Sequence, residues 1–497
     1  MKTVQFILGI VTFFSFTLGN AQENVFLKRG YWKANPSISQ IEQDIKAGNN
    51  VTALNESMFD AVCYALMEKA DNTTIKYLLG KKGNEVDKLT HDGRTYIFWA
   101  AYRDNLEIMQ YLVDKGAKAN IEDSHGYSVM NFAAVTGQTN PELYDFLLEN
   151  NADIKAKNHD GANALLLVAP FVKDYGTIAY FVSKGLDLKS TDDHGNGVFH
   201  YAAKGGHIPL LKTLVKKGLP YTTVNNKGQN ALHMASLGTR NSQNSLETYK
   251  YLESLGINPD TSDIENRNPL HAIAYKTNDL EVFKYFINKG VDVDQQDKAG
   301  NSPFMNAAKS NTLEVVKFLS DHVEDIDAQN KSGHTALVMA VNRNSGEVVD
   351  FIIRKGADIH VKDVKDNTLA HYLLNTYKNA EPESFEQKLK LLTDKGLSLN
   401  ETQENGNTLL HLAVKENNLS LLKRLEAFDI DINQKNKDGI TPLHMAAMTS
   451  NNDIILKYLI SQGADKSVKT EFEESVYDLA NENELLRERQ VTLEFLK

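Results

Sequence analysis

Residues 437–447 read KDGITPLHMAA, and this stretch decides the fold. Thr441 can cap a helix with its hydroxyl group, and Pro442 suits the first helical position, where a missing N–H costs nothing. The Ala pair at 446–447 allows a second helix to approach closely, and residues 454–460 (IILKYLI) supply that helix with one apolar stripe. The step Gly463-Ala464-Asp465 then ends the unit, because glycine accepts the left-handed conformation that stops a helix.

The same sequence of events recurs about every 33 residues. Successive turn residues lie 33, 35, 34, 33, 38, 34, 33, 33, 40, 33 and 34 positions apart, at Gly93, Gly126, Gly161, Gly195, Gly228, Asn266, Gly300, Gly333, Asp366, Gly406, Gly439 and Glu473. One such unit cannot bury its apolar face alone, so it must stack on copies of itself. The period therefore predicts a solenoid rather than the three globular domains that the length alone suggests.

These units resemble ankyrin repeats, whose pattern is about 33 residues with Thr-Pro-Leu-His-x-Ala. The best matches lie at 441–446 (TPLHMA), 408–413 (TLLHLA), 268–273 (NPLHAI) and 230–235 (NALHMA). The resemblance implies an all-α ankyrin-repeat solenoid of stacked helix-turn-helix units with projecting hairpin loops. It also implies a binding scaffold that is not an enzyme and that engages a protein partner through its concave groove and hairpin tips.

The chain divides into four predicted segments. Residues 1–21 read as a secretory signal peptide, with Lys2, an apolar run of about 15 residues and Gly19-Asn20-Ala21; an uncleaved N-terminal anchor is the alternative. Residues 22–92 form degenerate N-terminal repeats or a cap. Residues 93–472 hold the array of about eleven repeats, and 473–497 form a C-terminal capping half-repeat and tail.

The signal predicts export to the periplasm or the extracellular space. The short signal and the Asn/Lys-rich composition are of bacterial type and favour a Gram-negative periplasm, whereas a secreted effector that engages host proteins is a second hypothesis. No later segment approaches membrane-spanning length. We expect a monomer whose mature chain does not insert into a membrane.

Composition narrows the classes of partner and chemistry. The net charge of the 497 residues is −11, which argues against a nucleic-acid partner. The excess lies in residues 251–497, with 28 basic and 40 acidic side chains, and this half should repel acidic partners and attract basic ones. The single cysteine, Cys63, cannot form an intrachain disulfide, and a buried structural position is predicted for it. No cofactor is expected, and the usual nucleophile-elbow, phosphate-loop and zinc-protease motifs are absent from the sequence.

Six histidines share the fifth position after the turn residue: His200, His233, His271, His371, His411 and His444. A metal-dependent or enzymatic module using this row is the alternative of another class. Stacked repeats lie about 10 Å apart, however, and a zinc–nitrogen bond is about 2.0 Å. The resemblance implies instead that this histidine bonds to backbone groups around the turn.

Two further sets are candidates for partner binding. Histidines precede the turn residue in the first four hairpin tips, where they could sense pH or simply be freely chosen polar residues: His91, His125, His159 and His194. Positions after the Ala pair should line the groove, where they either bind a polypeptide or only cover apolar neighbours: Tyr102, Arg103, Phe171, Lys204, Tyr275, Lys276, Arg343, Tyr377 and Lys378. Insertions at 238–244 and 377–383 lengthen two units and serve either as binding loops or as tolerated surface length.

Overall fold

A computed structural model describes residues 23–497, so the predicted signal peptide at 1–21 lies outside the described residues. The described chain is built from helix pairs and contains no β-strand longer than an isolated bridge, which confirms the all-α expectation. The first helices of the pairs are Arg29–Lys33, Ala61–Met67, Tyr96–Tyr102, Val129–Val135, Ala164–Val168, Val198–Gly205, Ala231–Leu237, Pro269–Lys276, Pro303–Ser310, Ala336–Arg343, Leu369–Leu374, Leu409–Lys415, Pro442–Thr449 and Val476–Glu482.

Each first helix is followed by a second helix after a short connection. The second helices are Ile38–Lys46, Asn72–Leu79, Leu106–Asp114, Pro141–Glu149, Gly176–Ser183, Ile208–Lys216, Leu246–Ser254, Leu280–Asn288, Leu313–Ser320, Gly346–Arg354, Glu383–Asp394, Leu419–Leu425, Ile454–Ser461 and Glu484–Glu488. Short 3₁₀ turns lie at Val25–Leu27, His91–Gly93, Ala169–Phe171, Glu404–Gly406 and Glu494–Leu496. None of the helices in residues 23–497 is both long enough and apolar enough to cross a membrane.

The chain forms two compact units. One holds the described residues up to 202 together with 212–219, and the other holds 203–211 together with 220–497. In the first unit, first helices from 61–67 to 164–168 pack in succession, and in the second unit those from 231–237 to 476–482 do the same. Most apolar residues of these helices are buried, as expected for stacked repeats that share a core within each unit.

The turn residues adopt the left-handed conformation that the period requires. The twelve residues have φ between +59° and +85°, and they include the non-glycine residues Asn266, Asp366 and Glu473. At Gly333 a second constraint applies, because a Cβ atom there would lie 2.7 Å from Asp363 Cα in the next hairpin tip. Glycine thus serves both the turn and the close approach of neighbouring tips.

A polar residue three positions before the turn residue stabilises the hairpin tip from within. The Asp363 carboxylate accepts hydrogen bonds from the backbone N–H groups of Lys365 and Asn367, at 2.8 and 2.9 Å. The Asn436 side chain does the same in its own tip. Such Asx turns satisfy backbone donors that a helix or sheet would otherwise pair.

Neighbouring tips are also joined backbone to backbone. The N–H of Val364 donates to the carbonyl of Ser332 at 3.1 Å, and the N–H of Lys331 donates to that of Ala299 at 3.0 Å. In the first unit, Ser124 donates in the same way to Asp92 at 2.9 Å. The tips therefore form a ladder that fixes the register of one repeat on the next.

The N-terminal end of the first unit is covered by an aromatic cluster. Trp32 is fully buried, and its indole N–H donates to the carbonyl of Phe26 at 2.8 Å. The Tyr31 ring packs edge-on against both rings. This cluster shields the apolar side of the first helices, as a terminal repeat must do.

Candidate partner-binding surface

The histidine of the repeat motif is a structural residue at four of its six positions. In His444 and His411 the Nδ1 atom bonds to the helix-capping threonine, and the Nε2 atom contacts a backbone carbonyl 2.9 Å away, near the next hairpin tip. His271 and His233 make the corresponding bonds with an asparagine cap. Burial lowers the pKa of all four imidazoles, so they are held neutral in the fold.

The other two members of this histidine row differ. His200 is buried as well, with 2% of its surface exposed. The ring of His371 packs edge-on against Tyr372, and its Nδ1 atom has no hydrogen-bond partner. At His411 and His444 the backbone N–H of the capping threonine donates to the histidine Nδ1 atom. At His371 the corresponding N–H, from Thr368, donates to the Gln403 side chain at 2.9 Å. Within residues 23–497, no group of three or more His, Cys, Asp or Glu side chains is arranged to hold a metal ion.

The histidines of the first four tips do not form one row. His91 and His159 lie two residues before the turn glycine, whereas His125 and His194 lie one residue before it. The four histidines therefore occupy two different positions of the tip. Each nevertheless contacts the tip that precedes it along the chain.

These contacts are mostly with acidic or backbone groups. His125 Nε2 lies 3.4 Å from the Asp92 carboxylate, and His194 Nε2 lies 3.7 Å from that of Asp160. His91 bonds through Nδ1 to the carbonyl of Ser57 at 2.9 Å. The His159 ring covers Gly126 so closely that a Cβ atom there would overlap it. The tip histidines thus help to join adjacent repeats while remaining half-exposed or exposed.

The nine predicted groove residues lie at or just after the ends of first helices. Tyr102, Tyr275, Lys276 and Arg343 occupy the last turn of their helices, and Arg103 caps one. Lys204 lies one residue before the end of its helix. The remaining three lie outside α-helices, because the first helices end earlier in their repeats: Phe171, Tyr377 and Lys378.

Two of these side chains reach back to the preceding repeat. Arg103 donates from Nη2 to the carbonyl of Met67, and Lys276 donates from Nζ to the carbonyl of Leu237 at 3.0 Å. Both carbonyls lie at helix C-termini, where backbone acceptors lack partners and cations are favoured. Arg103 and Lys276 therefore stabilise the stacking of repeats as well as presenting charge.

The other members vary in exposure and packing. Tyr275 exposes 38% of its surface, and Lys276, Arg343 and Lys378 are exposed. Tyr102 is half-buried, under the Arg103 guanidinium, whose central carbon lies 4.6 Å from the ring centroid. Two more aromatic residues are half-buried and pack locally, Phe171 on Gly137 and Tyr377 on Phe385. The exposed surface therefore centres on Tyr275, Lys276 and Arg343.

The sequence reasoning missed asparagines that tie these helix ends together. The Asn344 amide donates to the carbonyls of Ala308 and Asn311, at 2.9 and 3.0 Å. Asn311 donates in turn to those of Ala274 and Thr277. The sequence does contain a pattern that could have indicated these bonds, because an asparagine directly follows the first helix in residues 310–311 (SN) and 343–344 (RN). These bonds hold successive helix ends in register.

The two insertions occupy the connections between helices. Residues 238–245 join two helices of the second unit, and Asn244 within them bonds to the carbonyls of Ala203 and Ala235. In the second insertion Glu383 already belongs to the following helix, so the extra loop ends at 382. The buried Lys388 of that helix donates to the Val341 carbonyl at 2.9 Å.

Cys63 is fully buried, which confirms its predicted structural position. Burial, together with the nearby Asp60 carboxylate, raises the pKa of its thiol. A raised pKa disfavours the thiolate, which is the nucleophilic form. Cys63 is therefore a packing residue and not a reactive centre.

The repeat pattern of this chain matches a known family of proteins. A family model described as "Ankyrin repeats (3 copies)" matches residues 62–158, 165–263, 270–363 and 378–470. These matches cover most of the described chain. They include the first helices whose ends carry Tyr275, Lys276 and Arg343.

Curated relatives share shorter stretches of similarity. Neurogenic locus notch homolog protein 1 of Mus musculus is 29% identical over 152 residues, which is 30% of this chain and 6% of that protein. The Homo sapiens protein of the same name is 28% identical over 153 residues, 31% of this chain and 6% of that protein. Palmitoyltransferase AKR1 of Lachancea kluyveri is 26% identical over 168 residues, 33% of this chain and 22% of that protein. The similarity thus spans less than a quarter of the length of each of these relatives.

Proposed function

The chain belongs to the ankyrin repeat family, and from that premise we propose that it is an exported scaffold. We propose that it binds a protein partner through its hairpin tips and through the helix-end surface, which consists of Tyr275, Lys276 and Arg343 at the ends of first helices. Ankyrin repeats are generally protein–protein interaction modules and are generally not enzymes. The similarity covers only small parts of the relatives, so it supports no other activity of those proteins for this chain. The mechanism is recognition by a preorganised surface, without a bond being made or broken.

One observation carries this proposal. The ends of successive first helices are fixed against one another by the Asn311 and Asn344 bonds, while Tyr275 and Arg343 beside them remain exposed. A surface whose backbone is already ordered loses little conformational entropy on binding. Tyrosine and arginine are also among the side chains that contribute most to interface affinity.

Alanine substitution tests the helix-end surface. A partner captured by crosslinking should lose affinity for the Tyr275→Ala variant by about 1–2 kcal/mol, the usual effect of removing a contributing aromatic side chain. Lys284→Ala in the second helix of the same repeat is the control and should leave the affinity unchanged. Equal affinities for both variants and the unaltered protein would contradict the proposal.

Export is the second part of the proposal. The sequence supports this part, because residues 1–21 combine Lys2, an apolar run of about 15 residues and the step Gly19-Asn20-Ala21. Cell fractionation should find the full chain outside the cytoplasm and a variant without residues 2–21 inside it. An identical distribution of both chains, or an uncleaved N-terminus on the exported protein, would refute cleavage-dependent export.

A further inference from the structure

Six cationic side chains recur at equivalent places in consecutive repeats of the second unit. Each lies at the end of a first helix or in the loop that follows it. We call this set the cationic row, and it consists of Arg240, Lys276, Lys309, Arg343, Lys378 and Lys415. Lys309 and Lys415 were not among the residues that the sequence singled out, and Arg240 was included only as part of the insertion at 238–244.

The members of the row lie on helix ends that touch. Lys276 contacts the Leu237 carbonyl of the preceding helix, three residues before Arg240. The Lys309 ammonium lies 5.7 Å from the centroid of the Tyr275 ring, next to Lys276. Asn344, directly after Arg343, is bonded to the helix that carries Lys309. In the repeats that follow, Lys415 ends a first helix and Lys378 lies in the loop after one, and these helices again pack in succession.

The charges of the row are not neutralised within the second unit. None of its six members forms an ion pair with a carboxylate in the described part of the chain. By contrast, some lysines on or directly after the second helices of the same repeats are paired, such as Lys284 with Glu281 at 2.7 Å and Lys355 with Asp321 at 2.7 Å. The row therefore presents six cations without an ion-pair partner among the described residues, in the half of the chain that carries the acidic excess.

Apolar surface accompanies these charges. Leu237 and Tyr275 expose 37% and 38% of their surfaces, although both lie on first helices whose other apolar residues are mostly buried. An aromatic ring beside unpaired cations suits a polypeptide, which brings both carboxylates and apolar groups to an interface.

We propose that the cationic row binds an acidic polypeptide segment in an extended conformation, a proposal that rests on the protein-binding function above. Packed helices lie about 10 Å apart, so successive cations should follow a similar spacing. A polyproline II segment advances about 9 Å in three residues. A partner segment with Asp or Glu at every third position would thus place one carboxylate opposite each cation.

Charge distribution favours this ligand over a nucleic acid. A nucleic acid carries a phosphate on every nucleotide and is repelled by the chain as a whole, whose net charge is −11. Exposed charges interact appreciably only within the Debye length, which is roughly 8 Å at physiological salt. A short acidic segment bound to the row therefore responds mainly to the six cations and less to the acidic residues elsewhere on the chain.

Fluorescence anisotropy with the full mature chain tests the proposal. The probe is a labelled 18-residue peptide with Asp at every third position and Pro or Ala between, compared with a peptide of the same composition whose Asp residues are grouped at one end. The spaced peptide should bind more tightly than the grouped one. The double variant K309E/R343E should weaken its binding at least about tenfold.

A matched control separates the row from overall charge. K284E/K317E changes the net charge equally on second helices and should alter the affinity less than about twofold. Equal weakening by both double variants, equal binding of the two peptides, or tighter row-dependent binding of a single-stranded oligonucleotide would overturn the assignment. A separate result would refute the scaffold function, namely that a photocrosslinker placed at Tyr275 captures no protein in the native compartment.

Discussion

The close approach of neighbouring hairpin tips makes left-handed glycines unequal in their tolerance of a side chain. We predict that Gly333→Ala, in a hairpin tip, destabilises its repeat more than does Gly218→Ala, at the glycine that follows the second helix Ile208–Lys216. The two residues have nearly the same φ, +78° and +75°. At Gly218 a Cβ atom would meet nothing within 4 Å. At Gly333 it would lie 2.7 Å from Asp363 Cα and from Val364 N.

The magnitude follows from this geometry. A contact of 2.7 Å must open by about 0.7 Å to reach ordinary van der Waals distance, because the opposing atoms are backbone. The adjoining hydrogen bond from Val364 to Ser332, 3.1 Å long, would then stretch to about 3.8 Å and be lost. Left-handed alanine costs about 1 kcal/mol in both variants. The lost bond adds about 1 kcal/mol at Gly333 alone.

Native-state hydrogen exchange is the suitable assay, since repeat arrays need not unfold in a single step. Gly333→Ala should speed exchange of the Val364 amide about fivefold or more beyond any general effect on the second unit. Gly218→Ala should leave that amide unchanged. Unaltered exchange at Val364 in the Gly333 variant would refute the claim that the tips are held together by this contact.

Three further outcomes are expected. Burial lowers the pKa of six histidines, so the unfolded chain binds protons first as the pH falls; they are His233, His271, His334, His371, His411 and His444. Stability should therefore be complete above about pH 6.5 and decline below it, and urea unfolding midpoints that stay constant from pH 7.5 to 5 would contradict this. Asn344→Ala leaves two carbonyls without their donor and should cost about 1–3 kcal/mol by denaturant unfolding, whereas Asn342→Ala should cost less than about 0.5 kcal/mol. Trp32→Ala should cost about 3–5 kcal/mol and increase proteolysis near the N-terminus; resistance equal to that of the unaltered protein would argue against a capping role.

The repeat framework could be predicted from the sequence because its signals are local. The left-handed turn residue was located ahead of twelve of the fourteen helix pairs, including the pair after Glu473, where no glycine marks it. Met58, which has φ +62° ahead of Ala61–Met67, was missed. The capping threonine, the first-turn proline and the backbone-bonded histidine at 441–444 were also correct. Each of these signals depends on residues within one turn of each other.

Contacts between repeats could not be read in the same way. The polar residue three positions before the turn is Asp in some repeats and Asn, Thr or Gln in others, so no single letter marks it. Arg103 and Lys276 read as solvent-facing groove residues, although both also bond to carbonyls about 36–39 positions earlier. Such pairs become neighbours only when repeats stack, and their register is set by the tip ladder and not by local propensity.

The placement of charged side chains in the folded repeats also could not be predicted from the average charge of the sequence. Averaged over residues 251–497, the sequence is strongly acidic, and basic partners were expected there. Stacking places Lys276, Lys309 and Arg343 on adjoining helix ends, while acidic residues such as Glu281 lie on second helices beside their own lysine partners. Segregation of charge between the two helices of a repeat is thus a property of the folded array.

Site-directed photocrosslinking in the native compartment tests the binding surface most directly. A photoreactive residue would be placed at Tyr275, on the exposed end of a first helix, or at Lys284, on the second helix of the same repeat. We predict a discrete polypeptide adduct from position 275 whose crosslinked segment is rich in Asp or Glu, and little adduct from position 284. Equal labelling from both positions, or none from position 275, would contradict the claim that the helix-end surface recognises a protein.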